Sequence, residues 1–268
     1  MDTLKQNFKS LGIANILAFI GVIIVNVLSN VLPLNGRTAE QLSDALPSYF
    51  TPTGYTFSIW GLIYTTLLGY IIYQALPSQK ERPFQAQIGW LFVVSSAANA
   101  GWLFAWHYGA YALSVLVMLI MLVTLIMIYL RLDIGHTNPN LTLKDRLFVH
   151  LPFSLYLGWI TVATIANIAS VAAHFGFDGL GIAGPTWSAI MMLIAVVVAG
   201  VLLFNRRNLA YAGVLIWALF GIRTAYPEIG VIANTAVIAA ILIALLALTG
   251  YWRTREPELT TETQARLA

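Results

Sequence analysis

The chain has 268 residues, of which 59% are hydrophobic and only 9% are charged. Because soluble domains carry about 25% charged residues, this composition excludes a water-soluble fold and makes the lipid bilayer the solvent. The net charge of +3 is spread between apolar runs, which excludes a nucleic-acid-binding protein, and the absence of Cys excludes disulfides and thiolate metal sites.

Apolar runs long enough to cross a bilayer, which takes roughly 20 residues, recur along the chain. They predict an all-α polytopic membrane bundle with eight transmembrane helices, at 11–33, 54–76, 86–106, 109–131, 148–171, 186–204, 209–225 and 230–251. The first run is too long for a signal peptide and no small-residue cleavage site follows it, so we expect a retained helix. The charged, Thr-rich segment 253–268 is typical of a disordered tail.

The basic residues indicate how these helices are oriented. With eight helices, every Lys and Arg falls on the side of the N-terminus except Arg37 and Arg223. Because cytoplasmic loops carry the excess of Lys and Arg, we expect a multi-pass protein of the inner cell membrane with both termini in the cytoplasm.

The interiors of the predicted helices contain essentially no ionisable side chains. An opsin needs a lysine in mid-helix for its Schiff base, and every lysine here lies in a loop or tail, so an opsin is excluded. Ion-coupled carriers usually need a buried carboxylate, which disfavours that class. Asn15, Asn26 and Asn30 share one face of the first helix, where we expect amide hydrogen bonds between helices.

Three of the predicted helices carry stripes of aromatic residues. Each stripe has the spacing that places its members on one helix face: Phe57, Trp60 and Tyr64 in the second helix, Asn99, Trp102 and Trp106 in the third, and Tyr156, Trp159, Ala163 and Asn167 in the fifth.

The stripes allow more than one interpretation. Anchoring at the headgroup level suits the aromatic residues at helix ends, which are Trp106, Trp187, Tyr251 and Trp252. Trp60 and Trp159 lie a turn or two inside, where ordinary helix packing is the simplest interpretation of either one alone. Stripes on three helices, two of them with an Asn, also favour the wall of an apolar small-molecule cavity, in which flat rings gain stacking.

These residues carry a resemblance to a known family. The segment from Pro52 through Phe57, Trp60 and Tyr64 resembles the second-helix signature of the TspO/MBR family, the tryptophan-rich sensory or translocator proteins. The stretch from Asn99 to Trp102, with Phe104 beyond it, resembles the third-helix motif. Tyr156, Trp159, Ala163 and Asn167 resemble the fifth-helix pattern, so the resemblance covers roughly residues 11–172.

The resemblance implies a TspO-like five-helix bundle over 1–172, followed by three additional helices over 173–252. It implies an intramembrane cavity that takes porphyrins, haem-related tetrapyrroles, sterols or synthetic aromatic drugs, with the loop 34–53 as its lid. It also implies a homodimer, and it requires no cofactor or metal. We expect the ligand-binding residues to be Phe57, Trp60, Tyr64, Asn99, Trp102, Tyr156, Trp159, Ala163 and Asn167.

The sequence also departs from the family pattern. Leu155 stands where the fifth helix of the family usually has Pro, and the first loop contains no Trp. The last three helices have no counterpart in five-helix members, and they would cover the usual dimer interface. They resemble those of a longer branch of the same family.

Three functions are therefore open. The leading one is sensing or translocation of a bound tetrapyrrole or other flat hydrophobic ligand. The second is transport of an uncharged solute. The third is light-dependent degradation of porphyrin with Trp residues as redox participants, although the sequence offers no catalytic base and no metal site.

Overall fold

The structure, a computed structural model, describes residues 2–31, 34–46 and 48–253, apart from the side chains of 2–9, 40 and 253. All regular structure in these ranges is helical. The predicted tail falls outside the described residues from position 254 onward. A helix lies at each predicted span: α1 (Asp2–Val31), α2 (Ile59–Ala75), α3 (Leu91–His107), α4 (Tyr111–Arg131), α5 (Leu151–His174), α6 (Gly184–Leu203), α7 (Leu209–Ala225) and α8 (Gly230–Arg253).

Length divides these helices into two groups. Within the described chain, six helical stretches are long and apolar enough to cross a membrane: Ser10–Val31, Gly54–Ala75, Tyr111–Arg131, Leu143–His174, Gly184–Leu203 and Gly230–Trp252. Helices α3 and α7 have 17 residues each, which is the lower end of the spanning range of about 17–25 residues.

Helix α3 is shorter than its predicted span because the chain breaks before it. A short helix, Pro83–Ile88, ends at Gly89, whose φ of +53° is a conformation that glycine adopts without steric cost. The prediction of one unbroken helix from residue 86 to 106 is therefore wrong.

Short helical turns connect the main helices. The turn Gly54–Ser58 runs directly into α2, and a π-helical turn, Arg146–His150, runs directly into α5. The other short elements are Leu34–Gly36, Ala39–Asp44, Pro77–Gln79, Leu143–Asp145 and Gly179–Gly181.

Helices α1 to α5 pack as a closed ring. Around the ring, α1 contacts α3, α3 contacts α4, α4 contacts α5, α5 contacts α2, and α2 contacts α1. The interior contains fully buried side chains from several helices, including Leu67 of α2, Leu125 of α4 and Phe153 of α5. The ring therefore encloses a core to which both the second and the fifth helix contribute.

Helices α6, α7 and α8 form a second group that packs on the outside of α5. Helix α8 contacts both α6 and α7, and α7 makes the main contact with α5. Gly158 of α5 permits this contact, because a Cβ at that position would lie 3.0 Å from Val214 Cβ and 3.2 Å from the carbonyl oxygen of Tyr211. The Tyr211 hydroxyl adds a hydrogen bond to Thr161 at 3.3 Å.

Large apolar side chains cover the outer surface of both groups. Leu17 of α1, Leu116 of α4 and Val201 of α6 are 63%, 56% and 78% exposed. Apolar surface spread over whole helices matches lipid and not water. The chain is thus a multi-pass membrane protein.

Candidate functional site

Aromatic side chains from α2 and α5 meet inside the bundle formed by α1 to α5. The Trp60 and Trp159 rings have centroids 6.2 Å apart with planes at 80°. Phe57, in the turn before α2, contacts Trp159 edge-on at 5.8 Å. Both distances lie within the range of about 4.5–7 Å in which aromatic pairs attract each other. Two of the predicted stripes therefore converge on one place.

A small cavity lies beside these rings. Its wall comes from α2, α3, α4, α5 and the lid segment, and consists of Ser43, Thr51, Pro52, Phe57, Trp60, Trp102, Trp106, Met118, Trp159, Val162, Ala163, Ala166, Asn167 and Ser170. The free volume is about 50 Å³, enough for a few water molecules, whereas sites for drug-sized ligands have roughly 300–1,000 Å³. The cavity is thus nearly closed in this conformation.

The cavity wall includes some of the predicted ligand-binding residues and leaves out others. Those in the wall are Phe57, Trp60, Trp102, Trp159, Ala163 and Asn167. Tyr64, Asn99 and Tyr156 belong instead to a hydrogen-bonded group next to the wall. Trp60 connects the two sets, because it stacks on Tyr64 at 5.2 Å and meets Tyr156 edge-on at 5.8 Å.

Asn99 is the centre of that hydrogen-bonded group. Its Nδ2 donates to the Tyr156 hydroxyl at 2.8 Å. Its Oδ1 accepts from Asn26 Nδ2 at 2.9 Å and from the Tyr64 hydroxyl at 3.4 Å. These bonds join α1, α2, α3 and α5, so in this conformation Asn99 supports the cavity without lining it.

The asparagines of α1 do not all act in the same way. Asn15 donates to Gln74 Oε1 of α2 at 3.1 Å, and Asn26 donates to Asn99, so both form the predicted bonds between helices. Asn30 is exposed and donates to the backbone carbonyl of Asn26 at 2.8 Å. The prediction of a bond to a neighbouring helix is wrong for Asn30, because its own helix satisfies the amide.

Two indole N–H groups of the cavity wall lack a hydrogen-bond partner. The Nε1 atoms of Trp102 and Trp159 are buried and have no acceptor among the described residues. Buried donors are nearly always paired, and leaving one unpaired costs roughly 1–3 kcal/mol. A ligand with an acceptor atom at this place would remove that cost.

The sequence did not identify every residue of the wall. Trp106 was placed both in the third-helix stripe and among the candidates for the headgroup level, and it was left out of the predicted ligand-binding residues. It is 2% exposed and stacks on Trp102 at 5.7 Å. Its position four residues after Trp102 was the signal that it shares the inward face. Met118 comes from α4, where it follows Tyr111 and Ser114 at the spacing of one helix face, but only the stripes of α2, α3 and α5 were used for the prediction.

The first half of the lid is fastened to α3 and α5. Its helix, Ala39–Asp44, begins with a capping box in which Thr38 and Gln41 bond each other's backbone. Asn35 Nδ2 donates to the carbonyl oxygen of His107 at 3.0 Å. Leu42 and Leu46 are buried against Trp106 and Val171.

The second half of the lid is held by the C-terminal helices. The Ser188 hydroxyl of α6 donates to the carbonyl oxygen of Tyr49 at 2.6 Å. The Tyr226 hydroxyl, just after α7, donates to the carbonyl oxygen of Ser48 at 2.9 Å. Burial, together with the nearby Asp44 carboxylate and Tyr49, raises the pKa of Tyr226. The phenol therefore keeps the proton that it donates.

Helix α7 also holds the segment that joins the lid to α2. The backbone N–H of Thr53 donates to the carbonyl oxygen of Gly221 at 3.2 Å, and Trp217 Nε1 donates to the carbonyl oxygen of Thr56 at 3.0 Å. Since Thr51 and Pro52 line the cavity, helix α7 holds in place a segment of chain next to the cavity wall.

A wider hollow of about 480 Å³ lies on the other side of the lid, between it and helices α5 and α6. Its aromatic lining includes Tyr49, Phe50, Phe177 and Trp187. Unlike Trp102 and Trp159 of the small cavity, Trp187 is already paired, since its Nε1 donates to the carbonyl oxygen of Gly179 at 2.6 Å. This hollow is a rival location for an apolar ligand, and it offers no unpaired indole.

Comparison with known proteins identifies the family to which the chain belongs. The family model for TSPO-like proteins matches residues 12–249, which include α6, α7 and α8 as well as the helices that carry the aromatic stripes. No curated protein and no solved structure matches the chain. Because the family match covers most of the chain and agrees with the motifs of α2, α3 and α5, this chain belongs to the TspO/MBR family.

Proposed function

We propose that the protein binds a planar hydrophobic ring compound, of the porphyrin or related tetrapyrrole class, in the cavity beside Trp60, Trp102 and Trp159. The main support is that aromatic walls from three helices surround a space where two buried indole N–H groups have no partner among the described residues. A tetrapyrrole would offer a flat π surface to the rings and acceptor atoms to the indoles.

Binding of such a ligand requires the cavity to widen. Its present 50 Å³ is several-fold smaller than the roughly 300–1,000 Å³ of sites for drug-sized ligands. One part of the cavity wall lies outside the ring of helices. This part is the lid, which contributes Ser43, Thr51 and Pro52. Ligand uptake therefore displaces the lid, and this displacement is a signal that a sensory protein can transmit.

We also propose that the protein lies in the inner cell membrane with both termini in the cytoplasm. This orientation rests on the distribution of Lys and Arg among the loops.

The two other functions can be distinguished from ligand binding by experiment. Transport of an uncharged solute predicts flux into proteoliposomes, and porphyrin degradation predicts a product that forms under light.

The test is a titration of the full-length protein in detergent with protoporphyrin IX, read from the Soret absorbance of the porphyrin. This readout does not depend on how many tryptophans the protein retains. We expect a saturable shift for the wild type, and affinity reduced at least tenfold in the Trp60→Ala/Trp159→Ala double variant. Loss of one well-packed aromatic contact is typically worth about 0.5–1.5 kcal/mol beyond its area.

A matched control is Trp187→Ala, which removes an indole from the outer hollow. It should leave the affinity unchanged. If Trp187→Ala abolishes the shift while the double variant binds normally, the ligand occupies the outer hollow and the proposed site is wrong.

A further inference from the structure

A polar cavity lies at the end of the molecule opposite the lid. It is formed by the connection between α4 and α5, by the first turn of α7 and by Tyr251 near the end of α8. Its volume is about 510 Å³. This space is separate from the aromatic cavity, and nothing in the proposed function uses it.

The side chains around this cavity are basic. Arg146, Arg207, His136 and His150 line it, and no carboxylate does so in the described part of the chain. Arg146 is exposed, and its guanidinium forms no ion pair in the part of the chain that the structure describes. The described residues that line the cavity therefore carry a net positive charge.

Two carboxylates of the described chain lie near the cavity, and both are paired with basic side chains. Asp133 Oδ1 lies 2.6 Å from His136 Nδ1 and 3.3 Å from Arg206 Nη1. Asp145 pairs with Arg82 at 2.7 Å and accepts from the Thr142 hydroxyl at 2.8 Å. Neither carboxylate lines the cavity, so an incoming group would meet the formal charge of Arg146, with the Arg207 side chain also in the wall.

Backbone N–H groups add to the positive potential of the cavity. Helix α7 begins at Leu209, and the first residues, with the capping residue Asn208, line the cavity. The N-terminus of a helix carries a partial positive charge and favours anions. Asn208 is held in place because its Nδ2 donates to Tyr129 Oη at 2.9 Å and to Ser154 Oγ at 3.0 Å.

Part of the remaining wall is apolar and comes from Leu141, Leu151 and Leu209, among others. An inorganic ion would leave this surface unused, whereas an amphiphilic anion would cover it. We propose that the cavity binds a phosphate ester, with the phosphate against Arg146, Arg207 and the start of α7. Basic pockets between membrane helices suit lipid phosphates, and a soluble organic phosphate presents the same chemistry.

The test uses the full-length protein in detergent and counts bound lipid by native mass spectrometry. Dioleoylphosphatidylglycerol is compared with dioleoylphosphatidylcholine, and glycerol 3-phosphate is added as a competitor. We expect selective retention of the anionic lipid. Arg146→Gln should weaken it about fivefold, the usual effect of one basic residue near a lipid phosphate, and Arg146→Gln/Arg207→Gln should weaken it further. Arg131→Gln removes an exposed charge outside the cavity and is the matched control.

The competitor separates the two sources of phosphate. If glycerol 3-phosphate binds and displaces the lipid, the ligand is a soluble phosphate ester; if the lipid stays bound, the ligand is a phospholipid headgroup. The proposal is overturned if neither compound binds selectively, or if Arg131→Gln weakens binding as much as Arg146→Gln. Because Arg146 is exposed, its single variant keeps the test valid if the double variant misfolds.

Discussion

The hydroxyl of Ser188 in α6 and the backbone carbonyl of Tyr49 in the lid are joined by a hydrogen bond of 2.6 Å. Both residues line the wide outer hollow, and the bond ties the lid to a helix that five-helix members of the family lack. Together with the Tyr226 and Trp217 bonds, it gives α6 and α7 a physical role. These bonds would oppose the lid movement that the proposed ligand uptake requires.

Removal of these bonds should speed ligand uptake. Ser188→Ala and Tyr226→Phe each delete one bond to the lid backbone, which is worth about 0.5–1.5 kcal/mol. We expect the association rate of protoporphyrin IX, followed by stopped-flow Soret absorbance, to rise roughly two- to tenfold for each variant. Thr249→Ala is the control, because its hydroxyl bonds the Leu246 carbonyl within α8. Equal rates for Ser188→Ala and Thr249→Ala would show that α6 does not restrain the lid.

Gly221 of α7 should not tolerate a side chain. A Cβ there would overlap Thr56 Oγ1 and lie 3.0 Å from Pro52 Cβ, so Gly221→Ala forces the segment above the cavity away from α7. Overpacking of this kind costs about 1–3 kcal/mol, and we expect that loss in the free energy of unfolding measured by denaturation in mixed micelles. Gly213→Ala, in the same helix with no atom within 4 Å of the added Cβ, should cause no loss. A similar loss in both variants would contradict this explanation.

Asn99 should matter more for stability than for ligand affinity. Asn99→Ala deletes bonds to Asn26, Tyr64 and Tyr156, each worth on average about 0.6 kcal/mol within a membrane. We therefore expect a loss of roughly 1–3 kcal/mol in the same mixed-micelle measurement, with porphyrin affinity changed less than in the Trp60→Ala/Trp159→Ala variant. Asn30→Ala, at an exposed residue bonded to its own helix, should be close to neutral. A larger effect of Asn99→Ala on affinity than on stability would mean that the amide contacts the ligand.

The unpaired indole groups should contribute to affinity through hydrogen bonds. Trp102→Phe/Trp159→Phe keeps apolar rings in the wall but deletes the Nε1 donors. We expect affinity for protoporphyrin IX to fall roughly two- to tenfold for each bond lost. Trp252→Phe, at a residue 61% exposed, should leave the affinity unchanged. Unchanged affinity in the double variant would show that the two donors do not contact the ligand.

Much of the fold is predictable because lipid imposes a simple pattern. Apolar length placed every main helix, and the 3.6-residue period placed Trp60 and Trp159 on converging faces. The break at Gly89 was missed because a single positive φ leaves no mark in hydropathy. The contact of Ser188 with Tyr49 could not be predicted, since it joins residues 139 positions apart without a paired sequence pattern. The closure of the cavity depends on how Met118 and Trp106 pack, which helical periodicity alone does not determine.

The most direct test of the central claim is ¹⁹F NMR of the protein labelled with 5-fluorotryptophan at its eight Trp residues. Addition of protoporphyrin IX should move the signals of Trp60, Trp102 and Trp159 by ring-current shifts, while the exposed Trp90 and Trp252 stay in place. Shifts limited to Trp187, or to the exposed tryptophans, would contradict binding in the cavity between α2, α3 and α5.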